Sequence, residues 1–273
     1  MSKEFSICIP VLNDRYIHEC LNSIFASKFQ DFEVIVNDVS DNFYVSDQIS
    51  EYDVRIIKKK TRSFESRLIT AKASSADKII IFDDTRLMPN TLLDKLRSMP
   101  EDMTVIAEKD VGKGLLIKLS NLDKGALIRN TVKLHPVENK SIIPRAYRRD
   151  FLMKALDSIS NNLSQEAIES IVGLDLEIIY YEAFKFSQNI GIVSEPEVLH
   201  HGDKTLRSIF RKYYRYGYTQ RMLMGTVYSD MANLKGRNRS DYAIKDRILS
   251  LPLQMIRGVP FVLGYLTGEK ELR

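Results

Sequence analysis

Short apolar runs alternate with amphipathic segments through the first half of the chain. Apolar residues at Ile17, Leu21 and Ile24 recur at helical spacing, and residues 64–73 show a second helical pattern. The apolar runs are rich in β-branched and aromatic residues, which is typical of strands. Strands alternating with helices predict an α/β fold with a mainly parallel sheet flanked by helices. The predicted strands are residues 5–9, 32–36, 54–57 and 79–82.

The second half of the chain begins with a weak pattern and then becomes mostly helical. Glycines at 112, 114 and 125 interrupt β-like runs between residues 104 and 144, which predicts strands and loops there. From residue 147 onward helices predominate, including one over residues 174–184. We expect an edge strand at residues 190–193 and a short extended segment at 198–201.

Two adjacent carboxylates follow the fourth predicted strand directly. Asp83 and Asp84 end the apolar run Ile79 to Phe82, and no lysine stands beside them in the sequence. Adjacent carboxylates repel unless a hard divalent cation or sugar hydroxyls compensate them. A metal-assisted phosphate chemistry is therefore one hypothesis. The other is that the pair caps a following helix that starts near Pro89.

Polar groups follow three predicted strands: residues 10–13, 37–38 and 83–84. The carboxyl ends of neighbouring parallel strands meet at one edge of a sheet, where open α/β sheets bind ligands. We therefore expect these three strand ends to converge on one crevice.

Composition agrees with a folded protein of 273 residues, 44% of them hydrophobic. The N-terminus lacks the apolar core of a signal peptide, and no segment reaches the uninterrupted apolar length of a membrane span. We expect a cytoplasmic protein. The two cysteines, Cys8 and Cys20, show no metal-ligand spacing and are predicted to be core residues.

Charge is distributed unevenly along the chain. Residues 204–273 carry 14 Lys and Arg against 5 Asp and Glu, a net charge of +9, and the rest of the chain is net negative. Such a basic end suits an anionic membrane surface, an anionic substrate or a solvated helical surface. Nucleic-acid binding is disfavoured because no recognisable nucleic-acid module is present.

Over roughly residues 5–220 the chain resembles the family 2 glycosyltransferases, which have the GT-A fold. The resemblance is carried by FSICIPVLN at 5–13, ECLNSI at 19–24 and FQDFEVIVNDVS at 29–40. It implies a nucleotide-sugar donor, more often uridine-linked than guanosine-linked, bound in the crevice. Pro10 and Asn13 belong to the opening strand end that would border this donor.

Several residues match the family's donor site. Asp38 matches the aspartate that binds the nucleobase, and Arg67 resembles an arginine near the donor. Asp84 matches the metal-binding second aspartate of the Asp-x-Asp motif, with Asp83 in the middle position, near the ribose or the metal. Phe82 replaces the usual first aspartate. The implied cofactor is a divalent cation, Mn²⁺ or Mg²⁺.

An inverting family member needs a base for the proton of the acceptor hydroxyl. Asp175 matches the family's acidic position, Glu177 is the runner-up, and Leu174 replaces the usual glutamate. Both carboxylates would also stabilise a helix N-terminus. His200 matches a family histidine near the metal or diphosphate, and a structural role is the alternative. Arg207 and Arg211 lie on a basic helix that would contact phosphates or simply be solvated.

Residues 218–273 form a basic extension whose apolar segments are broken by proline, glycine and Arg257. Predicted roles are peripheral attachment at the cytoplasmic membrane face, packing on the catalytic domain, or a homodimer contact. The domains predicted are 1–217, divided into a nucleotide-sugar half at 1–100 and an acceptor half at 101–217, and the helical extension 218–273.

The sequence thus predicts an inverting glycosyltransferase that moves a sugar to a hydroxyl or phosphate on a glycan or lipid-linked acceptor. One alternative is a decayed member of the family that binds nucleotide or glycan without turnover. A nucleotidyltransferase is disfavoured because no glycine-rich phosphate loop follows the first strand.

Overall fold

The computed structural model describes residues 3–13, 15–131, 134–137, 142–232 and 243–268. Within them, one eight-stranded sheet is flanked by helices. The strands are β1 (Phe5–Val11), β2 (Phe32–Asp38), β3 (Arg55–Lys58), β4 (Lys78–Ile81), β5 (Arg86–Leu87), β6 (Met103–Asp110), β7 (Ala146–Arg148) and β8 (Ile190–His200). The helices are α1 (Ile17–Phe25), α2 (Tyr44–Gln48), α3 (Ser63–Lys72), α4 (Leu92–Arg97), α5 (Leu115–Asn130), α6 (Arg149–Asn162), α7 (Gln165–Ser170), α8 (Asp175–Phe184), α9 (Leu206–Leu223) and α10 (Ile244–Thr267).

The strand order is β3-β2-β1-β4-β7-β6-β8-β5. The first four strands are parallel, as the alternating pattern predicts, and β1 lies between β2 and β4. The other half of the sheet is mixed, because β7 is antiparallel to β4 and β6, and β5 is antiparallel to β8. The α/β architecture predicted from the sequence is confirmed.

Each face of the sheet carries its own hydrophobic core. Along β1, Ile7 and Ile9 pack in the same cluster as Leu21 of α1, and Cys8 belongs to the cluster formed with α3, α6 and α8. This period of two follows from the alternation of side chains in a strand. Cys8 and Cys20 are free and buried, as predicted for core residues.

Two predicted regions are wrong in detail. Residues 115–130 form helix α5 rather than strands and loops, because Gly112 and Gly114 take positive φ angles just before the helix and Gly125 is accepted inside it. The predicted edge strand at 190–193 is the start of the eleven-residue strand β8, which lies inside the sheet between β6 and β5.

In the described part of the C-terminal extension, α9 ends at Leu223 and helix α10 is continuous, with Pro252 and Pro260 inside it. By length and composition it is apolar enough to cross a membrane, so the expectation that no segment reaches that length is wrong. The helix packs on α9, where the two backbones approach closely at Gly217 and Gly264. A Cβ added at Gly217 would collide with the carbonyl oxygen of Phe261.

Candidate active site

The carboxyl ends of β1, β2 and β4 lie side by side. Pro10 is paired in register with Asn37, and the next pair ends at Asp38. On the other side of β1, the backbone N–H of Phe82 donates to the carbonyl of Cys8, 2.9 Å away, which places Asp83 just beyond the strand. The register of three parallel strands therefore brings these polar strand ends to one edge of the sheet, termed the strand edge.

Asp83 and Asp84 do not cap a helix. The chain continues from them into the short strand β5, and the next helix, α4, begins only at Leu92 with Thr91 as its N-cap. The capping interpretation of this pair is therefore wrong.

Asp83 lies among three arginines. Arg67 Nη2 is 2.5 Å from one carboxylate oxygen, and the other oxygen binds Arg86 and lies 3.3 Å from Arg145 Nη1. All four side chains are largely buried, with exposed fractions of 15% or less. Guanidinium groups thus compensate this carboxylate, and both of its oxygens are occupied.

The same arginines extend the ionic network toward β6. Glu108 lies 2.7 Å from Arg86 Nε and 3.5 Å from Arg145 Nη2. Although burial opposes ionisation, the two guanidiniums and Lys124 lower the pKa of Glu108 well below its usual value. Residues 86, 108 and 145 were not predicted as site residues. Only the position of Arg86 just after the acidic pair signals this network in the sequence.

Asp84 differs from its neighbour. Within the described residues it forms no salt bridge, and burial raises the pKa of its carboxyl to about 6 despite the opposing charge of Arg67. Its carboxylate interacts with the backbone N–H groups of Thr85 and of Asp84 itself, and no guanidinium forms a salt bridge with it among the described residues.

Asp38 is fully buried and its oxygens are already engaged. Its carboxylate accepts hydrogen bonds from the backbone N–H groups of Ser40 and Ser46 at 2.8 and 2.7 Å, and from the Ser46 hydroxyl at 2.6 Å. Burial opposes ionisation, but these hydrogen bonds outweigh it and lower the pKa of Asp38. In this structure Asp38 organises the loop after β2, and its predicted contact with a nucleobase stays a prediction.

Pro10 and Asn13 lie where the sequence places them, at the end of β1 and in the exposed loop beyond it. The side-chain oxygen of Asn13 accepts a hydrogen bond from the backbone N–H of Arg15. Their predicted contact with a donor stays a prediction.

Arg67 connects the strand edge to the start of α8. Its Nε lies 2.7 Å from Asp175 Oδ2, which also accepts a hydrogen bond of 3.0 Å from Ser63. Leu174, just before Asp175, takes a left-handed conformation with φ of 60°, which is uncommon for a non-glycine residue. Burial opposes ionisation of Asp175, but Arg67 outweighs it and lowers the pKa of this carboxyl.

Glu177 lies in the same turn of α8 but in a different environment. Burial, reinforced by the neighbouring Asp175 carboxylate, raises the pKa of Glu177 to about 7. The two candidate bases therefore have opposite pKa shifts, and they line different cavities.

His200 ends β8 opposite Arg86 of β5. Its Nδ1 is 2.6 Å from Asp110 Oδ1, and burial, together with the charge of Arg86, lowers the pKa of His200 to about 4. The imidazole is thus neutral near pH 7. Among the described residues, no group of three or more His, Cys, Asp or Glu side chains is arranged to hold a metal, so the structure does not join Asp83, Asp84 and His200 in one such site.

Two cavities border the start of α8. The first, of about 540 Å³, contains Arg67, Asp175 and the basic side of α9. The second, of about 530 Å³, contains Glu177 and His200 and is closed on one side by α10. Lys212 and Tyr216 of α9 line both. The arrangement thus places Asp84 at the strand edge and, past Arg67, Asp175 in the first cavity and Glu177 in the second.

Residues 6–114 match a family model described as glycosyl transferase family 2. No protein with a curated description matches the sequence significantly. The chain is similar to residues 1–349 of TarS from S. aureus in complex with UDP-GlcNAc, with 13% identity, a TM-score of 0.60, and coverage of 98% of this chain and 90% of that chain.

The chain is also similar to the mannosyltransferase PcManGT from Pyrobaculum calidifontis in complex with GDP-Man and Mn²⁺. Here the identity is 12%, the TM-score 0.56, and coverage 98% of this chain and 73% of that chain. At such identities the likeness concerns the fold, which is that of the GT-A glycosyltransferases.

Proposed function

We propose that this chain, a family 2 glycosyltransferase by its match over residues 6–114, transfers a sugar from a UDP-sugar to an acceptor with inversion at the anomeric carbon. The observation that carries the proposal is the strand edge. There the carboxylate of Asp84 lies beside Arg67, which in turn binds Asp175. The guanidinium of Arg67 thus connects the proposed donor site to the candidate base.

Asp84 would hold the divalent cation of such a donor site. Hard cations take oxygen ligands, and Mg²⁺ is commonly held by one or two carboxylates together with phosphates. Asp83 is unsuited to this role because both of its oxygens bind arginines. When bound, the cation neutralises charge on the leaving nucleotide.

Asp175 is the proposed base for the acceptor proton. Arg67 and Ser63 fix its carboxylate, and its lowered pKa keeps it ionised at neutral pH. Proton transfer requires hydrogen-bond reach to the acceptor, and the first cavity provides space for an acceptor beside this carboxylate. Glu177 remains the second candidate, facing the second cavity.

We further propose that the protein is cytoplasmic and peripheral at the membrane face, contacting the membrane through α10. One side of this helix binds the domain through the Arg257–Asp123 ion pair of 2.9 Å. Its other side is an apolar stripe whose members are 49% to 66% exposed, and such a face suits interfacial burial. The stripe consists of Ile248, Leu251, Met255, Val259 and Val262. The alternative is that a second copy of the chain covers this stripe in a homodimer.

The test is calorimetric binding of UDP, GDP and TDP to the wild type and to Asp84→Ala, each with and without Mn²⁺. We expect UDP to bind most tightly, with Mn²⁺ dependence that disappears in Asp84→Ala. Failure of every nucleotide to bind the wild type would contradict the proposal.

A decayed enzyme that binds without turnover is the second candidate, favoured by Phe82 and Leu174 at positions where the family has acidic residues. Release of UDP from UDP-sugars distinguishes the two, since a binding protein would show nucleotide affinity and no release.

A further inference from the structure

Helix α9 presents a row of cations to the first cavity. Arg207, Arg211 and Arg215 are spaced four residues apart, so they lie on one face of the helix over about 12 Å. Lys212 adds a fourth cation, and Arg67 closes the cavity from α3. The part of the first cavity lined by these five residues is termed the cationic cavity.

Three of the five cations of this cavity have no carboxylate partner among the described residues. Within the described part of the chain, Arg207, Arg211 and Arg215 form no salt bridge, and Lys212 binds Asp203 at 3.3 Å. Of the described residues that line the cavity, Asp175 is the sole carboxylate, and Arg67 already neutralises it. Like charges four residues apart on a helix repel, so an anion bound between them would relieve that repulsion.

The cations of the cavity favour phosphate over a simple carboxylate. The hydroxyls beside them are engaged within the protein, since Ser63 donates to Asp175, Thr205 to Ser208, and Ser208 to the Thr205 carbonyl. A phosphate accepts several hydrogen bonds at once, and guanidinium groups bind it in a bidentate manner. The helix N-terminus at Thr205 adds a favourable dipole for an anion.

The cavity lies beside the donor site without including it. Neither Asp38 nor Asp84 lines it, and Arg67 and Asp175 are the residues that connect it to the strand edge. We infer that the cationic cavity binds a phosphate group carried by the acceptor, which holds the acceptor next to Asp175. This inference rests on the proposed function, and it selects phosphate-bearing acceptors over neutral glycans.

The experiment is calorimetric titration of octyl phosphate, below its micelle concentration, into the wild-type protein saturated with UDP and Mn²⁺. Octyl glucoside is the neutral comparison. We expect octyl phosphate to bind the saturated protein, and octyl glucoside to bind at least tenfold more weakly. The double variant Arg211→Gln/Arg215→Gln should bind octyl phosphate with at least tenfold lower affinity than the wild type. The control Lys28→Gln/Lys95→Gln removes the same charge from exposed lysines outside the cavity and should leave the affinity unchanged.

The outcomes separate the possible sources of phosphate. If octyl phosphate binds the protein without UDP but not the UDP-saturated protein, the cavity belongs to the donor diphosphate and the inference is overturned. Equal binding of octyl glucoside, or an equal loss in the lysine control, also overturns it. UDP binding without octyl phosphate binding defeats this inference and leaves the proposed function intact, whereas a wild type that binds no nucleotide defeats both. Thermal unfolding of each variant verifies that it is folded.

Discussion

The strand edge and the cationic cavity differ in whether their charged side chains have partners of opposite charge within the protein. At the strand edge, Asp83 is surrounded by Arg67, Arg86 and Arg145, so the charges are compensated within the protein. In the cavity, Arg211 and Arg215 have no acidic partner among the described residues. Under the proposed function, the compensated cluster maintains the geometry of the donor side, and the uncompensated cations bind the acceptor phosphate.

The largest expected effect concerns the carboxylate between the two regions. Asp175→Asn should lower turnover by roughly 10²- to 10⁴-fold, the usual contribution of a general base. Glu177→Gln, in the same turn of α8, should lower turnover by less than about tenfold on the same scale. Initial rates of UDP release measure both. The reverse ranking would assign the base to Glu177 and place the chemistry in the second cavity.

Removing the central charge of the strand edge should destabilise the fold. Asp83→Asn leaves three buried guanidiniums without this partner, and breaking a buried ion pair typically costs about 3–5 kcal/mol. Urea unfolding gives the free energy directly. The matched variant is Asp150→Asn, whose exposed pair with Arg148 should be worth about 0–1 kcal/mol. A small effect at Asp83 would mean that Glu108 and Asp175 together compensate the three arginines.

The raised pKa of Glu177 predicts a pH-dependent stability. Its folded pKa of about 7 exceeds the value of 4.5 for an unperturbed glutamate, so the folded state keeps a proton that the unfolded state releases. Stability from this group is complete below pH 4.5 and is lost as the pH rises through about 7. By linkage, the free energy of unfolding of Glu177→Gln relative to that of the wild type should rise by up to about 3 kcal/mol as the pH increases from 4.5 to 8.

Urea unfolding of the wild type and of Glu177→Gln at several pH values measures this difference in stability. A difference that does not change with pH would contradict the raised pKa.

The smallest expected effect tests the attachment of α10. Gly264→Ala places a Cβ against the carbonyl oxygen of Tyr214 and should cost about 1–3 kcal/mol through overpacking. Gly258→Ala, on the same helix with open space around it, should be neutral or stabilise by up to about 1 kcal/mol through helix propensity. Limited proteolysis and thermal unfolding measure both. Equal behaviour would show that α10 does not pack on α9 at this glycine.

The two regions also differ in how far the sequence predicts them. The strand edge follows from local signals, because apolar runs predict strands and parallel neighbours bring Pro10, Asp38 and Asp84 together. The partners of Asp83 were missed because Arg145 is distant in the sequence and follows a weakly patterned region. Its place depends on β7 running antiparallel beside β4, which no local pattern indicates.

The second half of the fold depended on similar long-range packing. Helix α5 contains Gly125, and the low helix propensity of glycine predicts an interruption at this position. Tertiary contacts override that preference. The opposite environments of Asp175 and Glu177 could not be predicted either, since both stand at the start of one helix. Only the folded arrangement gives Asp175 its arginine partner and places Glu177 in the second cavity.

The central claim is that the donor and the acceptor phosphate bind at separate places. Calorimetric titration of UDP in the presence of Mn²⁺ into the wild type, Asp84→Ala and Arg211→Gln/Arg215→Gln tests it most directly. We expect Asp84→Ala to lose UDP binding and the double variant to retain the wild-type affinity within about twofold, a difference of about 0.4 kcal/mol. Loss of UDP binding in the double variant, or its retention in Asp84→Ala, would show that the two sites are not separate.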